Sequence, residues 1–148
     1  MALVYFDASA LVKLCVPEAG TDLAGRLWDG ADVVVTSRLT DTELRAALAA
    51  GERAGVLGPA AHDAALRRWQ VLWPALHVVE VTGAVAARAS ALLGGSASPG
   101  TGDGLVLRSN DALHVASALA VAHDDTLVAA WDPFVAAASR GQGLRVVP

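Results

Sequence analysis

The four residues Leu3-Val4-Tyr5-Phe6, apolar throughout and closed by Asp7, constrain the fold of this chain more than any other stretch. A strand wetted on one side alternates apolar and polar residues. A run without alternation is buried on both faces, which calls for a parallel sheet with helices above and below it. Val33 to Thr36, Leu76 to Val81, Thr126 to Ala130 and Leu144 to Val147 read as further strands. Helical segments lie between them. Ala8 to Val16 is stopped by Pro17, and Thr21 to Trp28 and Leu39 to Ala54 follow. After Gly58-Pro59, residues Ala65, Leu66, Trp69, Leu72 and Trp73 make one apolar helix face. Val85 to Leu93 is next, then a helix capped by Ser109 or Asn110 that runs to about His123, then Pro133 to Ser139. Strand and helix alternating through short connections predict an α/β fold: a three-layer α/β/α sandwich around a mainly parallel sheet of four to five strands. With 148 residues the chain suits a single domain, 1–148, and the Gly94 to Gly104 stretch reads as a surface loop too short to divide it.

Hydrophobic residues make up 54% of the chain but aromatic ones only 5%, so Ala, Val and Leu must fill the core. The single cysteine, Cys15, excludes an internal disulfide and fits a reducing compartment. The start lacks the basic region of a signal peptide, and His114, His123 and Asp124 interrupt the best candidate for a membrane span. A soluble, cytoplasmic protein without a membrane partner is expected. The formal charge of −4 argues against holding nucleic acid by bulk electrostatics, but leaves room for an enzyme that reaches phosphates through bound cations.

In a parallel sheet the functional crevice lies beyond the carboxyl ends of the strands. Asp7 ends the first strand, and Glu43 lies in the first turns of the helix after the second. Asp111 begins the helix after the Gly-rich loop, and Asp132 follows the fourth strand. Carboxylates converging there repel one another, and a bound cation keeps them ionised. Magnesium takes one or two direct carboxylates, several waters and a substrate phosphate, a combination used to hydrolyse phosphodiesters. Each acid also has an ordinary structural role. Asp7 can open a turn, Glu43 stands at capping-box spacing from Thr40, Asp111 suits a helix N-terminus and Asp132 precedes Pro133. Only their combination is specific.

Ser9 can hydrogen-bond Asp7 or cap the following helix. His114, three residues after Asp111 on the same helix side, can orient an active-site group; packing under the sheet is the expected role, and not that of a general base. Arg45 and Arg108 can clamp phosphate or pair with the acids, the alternative being solvated helix arginines. Trp69 and Trp73 are expected in the core or an interface rather than stacked on bases. The sequence has no Gly-rich phosphate loop, zinc-spaced Cys/His set or nucleophile elbow.

Together these segments resemble the PIN-domain family, in particular toxins of the VapC kind. Val4-Tyr5-Phe6-Asp7-Ala8-Ser9 is similar to its first motif, and Thr36-Ser37-Arg38-Leu39 through Glu43-Leu44-Arg45 to its second. Leu107-Arg108-Ser109-Asn110-Asp111-Ala112-Leu113-His114 matches the third, and Leu127-Val128-Ala129-Ala130-Trp131-Asp132 the last strand-end acid. The pattern departs at Ala130, where the family often carries a hydroxyl, and in the length of the 94–104 loop, where Asp103 reads as a solvated loop residue, a substitute acid being the alternative. The resemblance implies a ribonuclease whose Asp7, Glu43, Asp111 and Asp132 hold one or two magnesium ions, manganese being a substitute, for attack by a metal-activated water. It implies a structured or messenger RNA substrate, a small cognate antitoxin and a homodimer. One rival is a PIN module that binds RNA or protein without cutting. Another is a receiver-like phosphotransfer domain, which needs a strand-end lysine; the only lysine, Lys13, lies in the first helical segment.

Overall fold

The computed structural model of the chain describes residues 1–94 and 106–148. Five strands form one sheet: β1 (Leu3–Phe6), β2 (Val33–Ser37), β3 (His77–Val79), β4 (Leu127–Ala129) and β5 (Arg145–Val147). Their order is β3-β2-β1-β4-β5, and all four pairings are parallel. The most apolar strand is thus central, as its lack of alternation requires. Among the described residues seven helices cover the sheet: α1 (Ala8–Cys15), α2 (Thr21–Asp29), α3 (Leu39–Arg53), α4 (Pro59–Leu72), α5 (Gly83–Gly94), α6 (Ser109–Val121) and α7 (Pro133–Gly141).

The period of two along β1 divides the core. Val4 and Phe6 point into a cluster with Leu11, Leu14, Leu44, Leu48 and Trp69 of α1, α3 and α4. Leu3 and Tyr5 point the other way, toward Val115 and Ala118 of α6 and Val135 and Ala136 of α7. Ala112 and Ala116 then pack α6 against Val85 and Ala89 of α5. The three-layer sandwich follows, with each fully buried Leu, Val or Phe contributing about 1.5–3 kcal/mol. Trp69 is in the core, as its spacing predicts, with its indole N–H donating to Asp41 Oδ1 at 2.7 Å.

Several boundaries differ from the sequence expectation, each for a local reason. α1 stops at Cys15 because Val16, one residue before Pro17, adopts an extended backbone (φ −122°). β3 is shorter than Leu76 to Val81: it is an edge strand with three registered partners on β2, and Leu76 is buried in the core. α6 is capped not by Ser109 or Asn110 but at Arg108, whose backbone N–H donates to Asp111 Oδ2 at 3.1 Å. The same helix ends at Val121, short of His123, because Ala122 is extended. Gly94 closes α5 rather than opening the loop; the rest of that stretch, with Asp103, lies outside the described residues. No described helix is long and apolar enough to cross a membrane.

The central position of β1 sets the functional address. The chain winds from β1 to β2 and β3 on one side, then crosses to β4 and β5 on the other. The order reverses at β1 and β4, and it is at the carboxyl ends of such strands that a parallel sheet places its functional residues.

Candidate active site

Asp7 stands at that reversal. It caps α1, accepting from Ala10 N–H at 2.9 Å, while its own N–H donates to Ala129 O of β4 at 3.1 Å. It is only 2% exposed, and burial pushes its pKa up from 3.8 to about 6; the hydrogen bonds from Ser9 and from Ala10 N–H oppose the rise, and the charge of Asp132 adds to it. Ser9 is the joint between the first and last motifs. Its hydroxyl donates to Asp7 Oδ1 at 2.6 Å and accepts from the backbone N–H groups of Trp131 and Asp132 at 2.9 and 3.0 Å. The alternative role expected for Ser9, capping α1, belongs to Asp7 itself.

Asp132 caps α7, where Oδ1 accepts from Phe134 and Val135 N–H at 2.8 and 3.2 Å. Its Oδ2 is left for Arg108 Nη2 at 3.0 Å. The same guanidinium reaches both oxygens of Asp111, at 2.8 Å from Nε and 3.2 Å from Nη2. Arg108 therefore bridges two acids that sequence places 21 residues apart at opposite ends of a strand and its flanking helix. Its other face lies 4.8 Å from the centre of the Phe134 ring. Arg45, by contrast, pairs with Asp41 at 2.9 Å, one helical turn away, and with none of the four acids.

Glu43 enters from α3. The capping box suggested by its spacing from Thr40 does not form: α3 begins at Leu39, and Thr40 is buried in a 2.7 Å hydrogen bond with Thr36. Glu43 is instead held by His114 of α6, through Nε2 and Oε2 at 3.1 Å. His114 Nδ1 meets the Tyr5 hydroxyl of β1 at 2.8 Å. Burial, reinforced by the charges of Asp7 and Glu43, holds the Tyr5 pKa well above its ordinary value, so its proton stays on. His114 is buried, as expected, but its packing role is joined to an orienting one. Spacing gave only a hint of this; Tyr5 gave no polar signal at all, sitting in the middle of an apolar strand.

The donors present fit a divalent cation. All four acids offer oxygen, and Glu43 Oε1 is a buried atom without a hydrogen-bond partner. Asp7 is a carboxylate whose ionised form burial disfavours and a positive charge would restore. Among the described residues no three His, Cys, Asp or Glu side chains are drawn tightly enough to enclose an ion by themselves. Ala130, which lacks the hydroxyl often found there, is buried in the apolar cluster of α6 and α7, and the Ser9 hydroxyl holds the backbone on its far side. Lys13 bonds to Glu18 and Ala19 O, so no lysine joins the acids as a phosphotransfer domain would need.

A model of the PIN domain matches residues 4–133. The chain is 43% identical to Ribonuclease VapC45 of Mycobacterium tuberculosis over 148 residues, covering all of this chain and 96% of that protein. Among solved structures it resembles FitAcB of Neisseria gonorrhoeae, with a TM-score of 0.69 and 17% identity over 98% of this chain and 96% of the other. It also resembles VapC20 of Mycobacterium tuberculosis, described as a sarcin–ricin loop cleaving toxin, with a TM-score of 0.65 and 24% identity over 91% and 94% of the two chains. These two likenesses, at such identities, speak for the fold.

Proposed function

The chain belongs to the PIN-domain family, as a nuclease of the VapC kind, and from that premise we propose that it is a magnesium-dependent endoribonuclease and the toxin of a toxin–antitoxin pair. The reading is supported by the links Asp7–Ser9–Asp132 and Asp132–Arg108–Asp111, and above all by Glu43 Oε1, which is buried and unpartnered. These four acids would hold magnesium, or manganese in its place. When bound, the ion supplies Lewis-acid polarisation of a phosphodiester and lowers the pKa of a water.

The remaining work falls to the chain's own residues. Ser9 locks Asp7 Oδ1 and the backbone of Asp132 into one geometry. Arg108, 61% exposed at its side chain, keeps Asp111 and Asp132 from repelling one another and leaves Nη1 for the scissile phosphate. The net charge of −4 means that RNA is drawn to the site by these local cations rather than by a basic surface. The substrate class is structured or messenger RNA, cut where bases are unpaired and accessible. A small antitoxin would inhibit by laying an apolar helix on the protein and a basic side chain on the acids, and a symmetric homodimer would present two such sites.

Total RNA incubated with purified protein tests the reading, with magnesium, with EDTA, and with the Asp111→Ala variant. Discrete bands that require both the metal and Asp111 are expected. A folded, antitoxin-free protein that cuts nothing would instead favour a PIN module that binds without cleaving.

A further inference from the structure

Glu43 is held at the site by two residues that are not acids. A carboxylate only accepts hydrogen bonds, so the 3.1 Å contact between His114 Nε2 and Glu43 Oε2 requires the proton on Nε2. A neutral imidazole then has its lone pair on Nδ1, where the Tyr5 hydroxyl stands at 2.8 Å and can donate. Tyr5 is 0% and His114 2% exposed, so water does not compete for either bond. The two rings meet edge to face, with centroids 6.1 Å apart and planes at 76°. Tyr5 belongs to the central strand and His114 to the helix packed on it, which leaves neither ring room to turn over. Both ring nitrogens are engaged, so His114 is not itself a cation ligand. The far oxygen, Glu43 Oε1, is the one left without a partner.

We propose that Tyr5 and His114 are positioning residues of the nuclease: Tyr5 fixes His114 as the Nε2–H tautomer, and His114 fixes the Glu43 carboxylate by Oε2 so that Oε1 is free for the cation. The inference rests on the reading of Glu43 as a cation-holding acid. Partners of this kind orient a ligand without touching the ion, and their loss costs about 10–100-fold in metal affinity or activity.

Two measurements test it on the full chain. The first is a long-range proton–nitrogen NMR spectrum of the imidazoles in EDTA, where His114 is expected as a single Nε2–H tautomer in the wild type and as a mixture in Tyr5→Phe. An Nδ1–H signature in the wild type overturns the inference without any variant being made. The second is manganese titration followed by electron paramagnetic resonance, with folding checked by circular dichroism. Glu43→Ala and His114→Ala should each weaken manganese binding about 10–100-fold, with Tyr5→Phe weaker by several-fold. His114→Gln, whose amide N–H can replace Nε2–H, should restore most of the loss. If Glu43→Ala weakens binding while Tyr5→Phe and the folded His114 variants do not, the positioning role is overturned and the cation site stands. If Glu43→Ala leaves binding unchanged, the underlying reading of Glu43 fails, and the positioning role with it. Should His114→Ala not fold, the wild-type tautomer and the Tyr5→Phe titration decide.

Discussion

Replacing Asp7 by Asn is expected to stabilise the metal-free protein and abolish cleavage in the same step. Burial raises the Asp7 pKa from 3.8 to about 6, so above that pH the folded chain carries a charge that water would hold better. A rise of this size corresponds to about 3 kcal/mol at pH 7.5. The folded state binds this proton more tightly than the unfolded chain does. The stability contributed by the neutral carboxyl is therefore complete below pH 3.8 and is lost as the pH rises through 6. Asparagine carries no charge at any pH. The bonds from Ser9 Oγ and Ala10 N–H, at 2.6 and 2.9 Å, both fall on Oδ1, which an amide oxygen reproduces. Burying the new amide N–H groups costs about 1–2 kcal/mol, leaving a net gain of about 1–2 kcal/mol. In a chain of 148 residues that raises the unfolding midpoint by about 3–8 °C.

The assay is thermal or urea unfolding in EDTA at pH 7.5 and at pH 4.5. By pH 4.5 the wild type should recover about 2 kcal/mol of the difference, erasing the advantage of the variant. With magnesium or manganese present at pH 7.5 the order should narrow or reverse, since ligand binding stabilises only the protein that binds it. An Asp7→Asn protein less stable than wild type by more than about 1 kcal/mol at pH 7.5 in EDTA, with a gap that acidification leaves unchanged, would refute the reasoning. It would mean that the Asp7 charge is well accommodated by its surroundings and not held at a cost.

Ser9→Ala leaves the N–H groups of Trp131 and Asp132 without their acceptor; urea unfolding should show a loss of about 2–3 kcal/mol, and cleavage should fall with it. Arg108→Gln removes the charge between Asp111 and Asp132; steady-state cleavage should show KM several-fold higher and kcat reduced, with a shallower salt dependence of RNA binding. An unchanged KM and salt slope would exclude Arg108 from contact with the phosphate.

The strands and the three layers were legible in the sequence because their signals are local. A run such as Leu3 to Phe6 states by its lack of alternation that both faces are covered, and Asp7, at its end, must then emerge at the carboxyl end of the sheet. Trp69 declared its buried face by helical spacing in the same way. Boundaries were less legible, since the extended backbone at Val16 and Ala122 depends on caps and neighbours rather than on residue type. What the tertiary structure alone decided is which side chains meet. The strand order β3-β2-β1-β4-β5 brings Ser9 to the backbone of Asp132 across 123 residues, and Tyr5 to His114 across 109. No periodicity carries that information. Hydrogen bonds to a hydroxyl or an imidazole depend on a few tenths of an ångström between elements, and only the packing of α6 on β1 and β2 sets that distance. The same packing turned a tyrosine that reads as core filler, and a histidine that reads as buried, into the support on which Glu43 rests.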